Sequence, residues 1–134
     1  METIRTIYLG DLRTEATHIK SEKQIITDAP VDNKGKGEAF SPTDLLAASL
    51  GSCMLTLMGI AANTHQIDFS GASMKITKAM VNNPRKVAEV IVDIDMGGSK
   101  YTDKEKKILE NAALTCPVAL SLHPDVKQTV HFNY

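Results

Sequence analysis

Phe40-Ser41-Pro42-Thr43-Asp44-Leu45-Leu46-Ala47-Ala48-Ser49-Leu50-Gly51-Ser52-Cys53-Met54 is the stretch on which the fold of this chain turns. Ser41 is a capping serine, Pro42 fits the first helical position, and Asp44 stands where an acid reaches back to open backbone amides. From Leu45 to Thr64 no residue is charged. A helix apolar on every side is either enclosed by protein or crosses a membrane. Ala47, Ala48, Ser49, Gly51, Ser52, Cys53, Thr56 and Gly59 dilute the run, and it lies between amphipathic strands with no second span. The reading is therefore a central helix enclosed on all sides, with small residues where another backbone comes close. A chain of 134 residues has little to cover such a helix with, so a dimer with a shared core is expected.

Outward from the helix, the pattern is strands. Ile4 to Leu9, Thr14 to Ile19 and Ile25 to Thr27 read as short strands, with a turn at Ser21-Glu22-Lys23. Ala29 to Glu38 is a polar loop rich in turn residues. Beyond Ser70-Gly71 come strands from Met74 to Val81 and from Val87 to Met96, the second with Val90, Val92, Ile94 and Met96 on one face. Thr102-Asp103-Lys104-Glu105 is a capping box opening a second helix that stops near Thr115. Cys116-Pro117 opens a short helical stretch through Leu122, and Val126 to Phe132 closes the chain as a strand. Strands and helices are segregated, so the fold class is α+β, in one domain over residues 1-134.

With 15 Lys and Arg against 16 Asp and Glu, the net charge is −1 and no basic block stands out. Nucleic acid is not expected as a partner. The segment Met1-Glu2-Thr3-Ile4-Arg5 does not read as a signal peptide, so a cytoplasmic location is expected. Thiols there stay reduced unless used in redox chemistry or metal binding. The two cysteines, Cys53 and Cys116, are either small buried hydrophobes or functional groups. Cys116, just before Pro117, is placed at a helix N-cap, where free amides and the helix dipole favour a thiolate. Cys53 lies about three turns inside its helix, beyond the reach of the dipole, and needs a nearby cation. Arg5, Arg13 and Arg85 are the candidates among arginines, and the residues alone do not choose between them. A metal site built from Cys53, Cys116 and two of His18, His65, His123 and His131 lacks the close ligand pairs of structural zinc sites. No cofactor and no metal are expected. No motif supports a Cys–His acyl-transfer site, and Gly35-Lys36-Gly37 lacks the context of a phosphate-binding loop.

The stretch from Phe40 to Met54 closely resembles the signature helix of the OsmC/Ohr-like superfamily. Thr115-Cys116-Pro117-Val118, after a second helix, looks like its second cysteine, and the element order matches over essentially the whole chain. The resemblance implies an intertwined homodimer, two sheets around long buried central helices, and two active sites at the interface. It implies a thiol-dependent peroxidase acting on organic hydroperoxides in oxidative-stress defence. Cys53 would be the peroxidatic nucleophile, Cys116 the resolving thiol that forms a disulfide with it, and an external dithiol such as a lipoyl protein the reductant. Arg13, placed by its distance from Cys53 along the chain, would be the activating arginine. The sequence departs from the pattern at Thr43. The peroxidase branches carry a glutamate there that pairs with the arginine. Asp44 is turned about 100° away on a helix, which leaves Glu38 in the loop as the remaining partner. The departure favours an alternative, a redox-sensing or small-ligand-binding protein with little turnover. A cysteine followed by proline at a helix start is also similar to sulfur-carrier proteins, but Ala119 stands where their second proline would be.

Overall fold

Six strands and three α-helices follow in the order read from the sequence, and the computed structural model describes all of residues 1–134. The strands are β1 Ile4–Gly10, β2 Arg13–His18, β3 Gln24–Asp28, β4 Ser73–Val81, β5 Lys86–Asp95 and β6 Lys127–Asn133. The helices are α1 Pro42–His65, α2 Asp103–Leu114 and α3 Pro117–Ser121. The chain forms two compact units, Met1–Leu46 and Ala47–Tyr134.

The first unit is an antiparallel meander, β1-β2-β3. Asp11 and Leu12 turn β1 into β2 with φ of 53° and 64°, the left-handed pair that suits a tight hairpin. Leu12 N–H donates to the Tyr8 hydroxyl at 3.2 Å. The β2–β3 turn sets a register in which Arg13 faces Asp28 and Thr14 faces Thr27. After β3 the chain loops back on itself. Gly35 passes so close to Ala29 that a Cβ there would stand 1.7 Å from the Ala29 carbonyl oxygen. Asp28 N–H then donates to the Phe40 carbonyl at 3.0 Å, bringing the loop to the start of α1.

The cap of α1 is reciprocal, as the sequence implies. Ser41 N–H donates to Asp44 Oδ2 at 2.9 Å, and Asp44 N–H donates to Ser41 Oγ at 3.0 Å. Asp44 is thereby committed to the helix start. The helix is 24 residues long and its most apolar window has a mean hydropathy of 1.9, enough by length and composition to cross a membrane. Ala47, Leu50, Gly51, Met54, Met58 and Ala62 are buried along it, a single stripe at helical spacing. Within one chain the enclosure is thus along one face, and Ile60 opposite is 55% exposed. Gly51 lies where α1 meets β4: a Cβ there would sit 2.3 Å from Ile76 Cδ1 and 2.6 Å from Met74 Sδ.

The second sheet has the order β4-β5-β6. β4 and β5 are antiparallel, whereas β6 lies parallel to β5. A parallel neighbour needs a crossover, and α2 with α3 supplies it. Val90, Val92, Ile94 and Met96 are fully buried, the face predicted from alternation. A register irregularity opposite Ala79 and Met80 brings Val87 to the same buried side. The capping box of α2 is present, with Thr102 and Glu105 each bonded to the other's backbone.

Candidate functional site

The thiols belong to the second unit. Cys53 flanks the buried stripe of α1, next to Met54, and is half-buried. Cys116 is the N-cap of α3, with Pro117 at the first helical position. Its Sγ accepts a hydrogen bond from the Ala119 N–H at 3.4 Å. The side chain is 0% exposed. Burial pushes the Cys116 thiol above the ordinary cysteine range, and the nearby Cys53 thiol pushes it further. The amides of Ala119 and Val118 pull the other way and do not win. The expectation that a helix start would favour a Cys116 thiolate is therefore corrected. α3 is only five residues long, so its dipole is weak, and the cost of desolvating a charge at a fully buried position outweighs it. Cys53 lies near enough to Cys116 to perturb its thiol, and both cysteines are free.

Arg13 belongs to the first unit and has a carboxylate partner. Its Nε donates to Asp28 Oδ1 at 2.7 Å and its Nη2 to Asp28 Oδ2 at 2.8 Å, a two-pronged pair across β2 and β3. Asp28 is 1% exposed and also accepts from the Glu38 N–H at 3.1 Å. The hydrogen bond from Arg13 holds the Asp28 carboxyl below its ordinary range against the opposing effect of burial. Hydrogen bonding to Asp28 and its charge raise Arg13 in turn, so the guanidinium keeps its charge. Glu38, the partner expected from the loop, is a second and looser one, with Oε1 3.5 Å from Arg13 Nη2. Asp28 was not among the residues singled out from sequence. The signal for it was the register, because a turn centred near Lys20-Ser21 sets Asp28 opposite Arg13.

The other arginines stand elsewhere. Arg5 is exposed and pairs with Glu2 three residues away, and Arg85 lies in the turn between β4 and β5. No three His, Cys, Asp or Glu side chains cluster as metal ligands would. His18 bonds the Ser21 hydroxyl at 2.6 Å, and His123 accepts from the Asp125 N–H at 3.0 Å. Both are loop contacts.

Known proteins place the chain. A search of curated proteins gave no match. A solved structure from Psychrobacter arcticus 273-4, provisionally named an osmotic stress induced and detoxification response protein, is 55% identical, with a TM-score of 0.94 over 99% of this chain and 96% of that one. An organic hydroperoxide resistance protein OsmC from Legionella pneumophila shares the fold at 17% identity, with a TM-score of 0.78 over 100% of this chain and 98% of its own. An organic hydroperoxide resistance protein from Elizabethkingia anophelis shares it at 15% identity, with a TM-score of 0.70 over 99% and 96%. The family model described as OsmC-like protein matches residues 35–131. With its two small sheets, its capped apolar helix and its two neighbouring thiols, the chain belongs to the OsmC-like family.

Proposed function

We propose that this protein is a thiol-dependent peroxidase that reduces organic hydroperoxides. The observation that carries the reading is a pair of free thiols in one unit, Cys53 half-buried and Cys116 fully buried, near enough for one to perturb the other. The Cys53 thiolate attacks the outer peroxide oxygen, the O–O bond breaks, and an alcohol leaves with a proton. Cys53 is then a sulfenic acid. Cys116 condenses with it, forming the disulfide and releasing water. An external dithiol, of the lipoyl type, reduces the disulfide to two thiols and is itself oxidised. Arg13 supplies the permanent positive charge that such a thiolate and its peroxide need. The names of family members with this fold, which refer to organic hydroperoxide resistance, agree with this substrate class.

The working form in this reading is a cytoplasmic homodimer of single 134-residue domains. Its support is the apolar surface that one chain leaves open. Ile4, Ile7, Tyr8, Leu9 and Leu12 of the first hairpin are all exposed, as are Phe40 before α1 and Ile60 on it. Ile7→Glu is expected to shift the protein towards monomer in analytical ultracentrifugation.

The direct test is a free-thiol count and intact mass after one equivalent of an alkyl hydroperoxide. Wild type should lose two thiols, Cys116→Ser should stop at a sulfenic acid, and Cys53→Ser should be inert. If both wild-type thiols survive many equivalents, the fold serves ligand binding or redox sensing instead.

A further inference from the structure

α3 has only five residues, about a turn and a half, and a helix that short does not hold itself together. Its carbonyls show what does. Cys116 O accepts from the Leu120 N–H at 3.1 Å, Pro117 O from the Ser121 hydroxyl at 2.7 Å, and Val118 O from the Leu122 N–H at 3.1 Å. The Ala119 carbonyl accepts from Gln128 Nε2 at 2.9 Å, and that side chain comes from β6. Ala119 also donates its N–H to Cys116 Sγ at 3.4 Å and is itself buried. It is thus held at both ends, by the thiol that it meets and by the strand that follows.

Gln128 stands where alternation calls for an apolar residue. In β6, Gln128, Val130 and Phe132 pair with Val90, Val92 and Ile94 of β5, so all six share the face of the sheet on which those three are buried. A side-chain amide on that face costs desolvation unless its hydrogen bonds are made, and the Ala119 carbonyl makes one. We propose that Gln128 is the positioning residue for Cys116: by holding the Ala119 carbonyl it fixes the turn of α3 that presents an N–H to the sulfur and keeps the thiol enclosed. Every group involved lies in the second unit. Only the name of resolving thiol for Cys116 rests on the peroxidase reading. In that role the Cys116 thiol meets a Cys53 sulfenic acid: an S–S bond forms, the S–OH bond breaks, and water leaves with the thiol proton. A thiol on so short a helix reaches that geometry reproducibly only when the helix is pinned.

The first test uses a Cys53→Ser background, which leaves Cys116 as the sole thiol, and follows its alkylation by iodoacetamide. A fully buried sulfur reacts only when its surroundings open, so the rate reports how often α3 does. Gln128→Met keeps the length of the side chain and removes the donor. It is expected to speed labelling about tenfold, the factor by which losing one such bond moves an equilibrium. Gln128→Lys restores a donor and should bring the rate most of the way back. Labelling of Cys53 in a Cys116→Ser background should not change, whereas a general loosening of the sheet would raise it too. The second test is the lifetime of the Cys53 sulfenic acid after a pulse of alkyl hydroperoxide, read by dimedone capture. Gln128→Met should lengthen it about tenfold, well within what a misplaced reacting group costs. If Gln128→Met does not fold by circular dichroism, Gln128→Asn takes its place: it carries the amide on a chain too short to reach, and should label as fast.

The assignment is overturned if Gln128→Met labels at the parent rate, if Cys53 labelling rises by the same factor, or if Gln128→Lys fails to slow it. A wild type whose thiols ignore hydroperoxide, while Cys116 labelling follows position 128, would sink the peroxidase reading and leave Gln128 as the positioning residue. Rapid disulfide formation indifferent to position 128, with labelling unchanged, would do the reverse.

Discussion

The two units of this chain are held together by different physics. Every buried apolar side chain, from Ala47 to Ala119, belongs to the second unit. The three buried polar or charged side chains, Thr27, Asp28 and Ser41, all belong to the first. None of the strands β1 to β3 buries an apolar residue, while β5 alone buries Val87, Val90, Val92 and Ile94. The second unit is thus stabilised by removing hydrocarbon from water, which is indifferent to pH and direction. The first is stabilised by directional pairs: Arg13 with Asp28, Thr14 with Thr27, Ser41 with Asp44. A unit made this way specifies geometry more than it contributes stability, and it is the unit that holds the guanidinium.

That contrast can be broken or sharpened at single residues. The largest effect is expected at Leu50, fully buried on α1, where Leu50→Ala should destabilise by about 2–5 kcal/mol in chemical denaturation. An equal cost for Ile7→Ala would mean that the first unit has an apolar core of its own after all. Gly51→Ala pushes a methyl against Ile76 and Met74. Overpacking costs about 1–3 kcal/mol and the gain in helix propensity returns about 1, so a net loss of up to about 2 kcal/mol is expected. Thr27→Val removes the hydroxyl partner of Thr14 in the first unit and should cost about 1 kcal/mol, readable in the same titration.

The last prediction concerns a slope with pH. The folded-state pKa of Asp28 is lowered, so its pairing contributes fully above the ordinary carboxylate range and is lost as pH falls below it. Arg13 stays charged throughout. The stability gap between wild type and Asp28→Asn should therefore be constant from neutral pH down to about 5 and close progressively below about 4. A gap that persists into acid would show that Asp28 acts through packing instead.

Local chemistry made much of this legible beforehand. The Ser41–Asp44 cap, the alternation of β5 and the Thr102–Glu105 box are patterns within a few residues, and each formed where expected. So did the N-cap position of Cys116. The features that escaped depend on distant parts of the chain meeting. Asp28 was hidden because its role exists only once the β2–β3 register is set. The raised Cys116 follows from what packs over it, which no motif records. The parallel direction of β6 depends on how α2 and α3 return the chain.

The disulfide proposed between Cys53 and Cys116 also has a consequence in polymer terms. A bond between them would close a covalent ring of roughly 60 residues, tying α1 to the crossover that precedes β6. A ring of that length removes enough freedom from the unfolded chain to stabilise the fold by about 4 kcal/mol. The oxidised protein would then melt several degrees above the reduced one, and its thermal transition would serve as a gauge of its redox history.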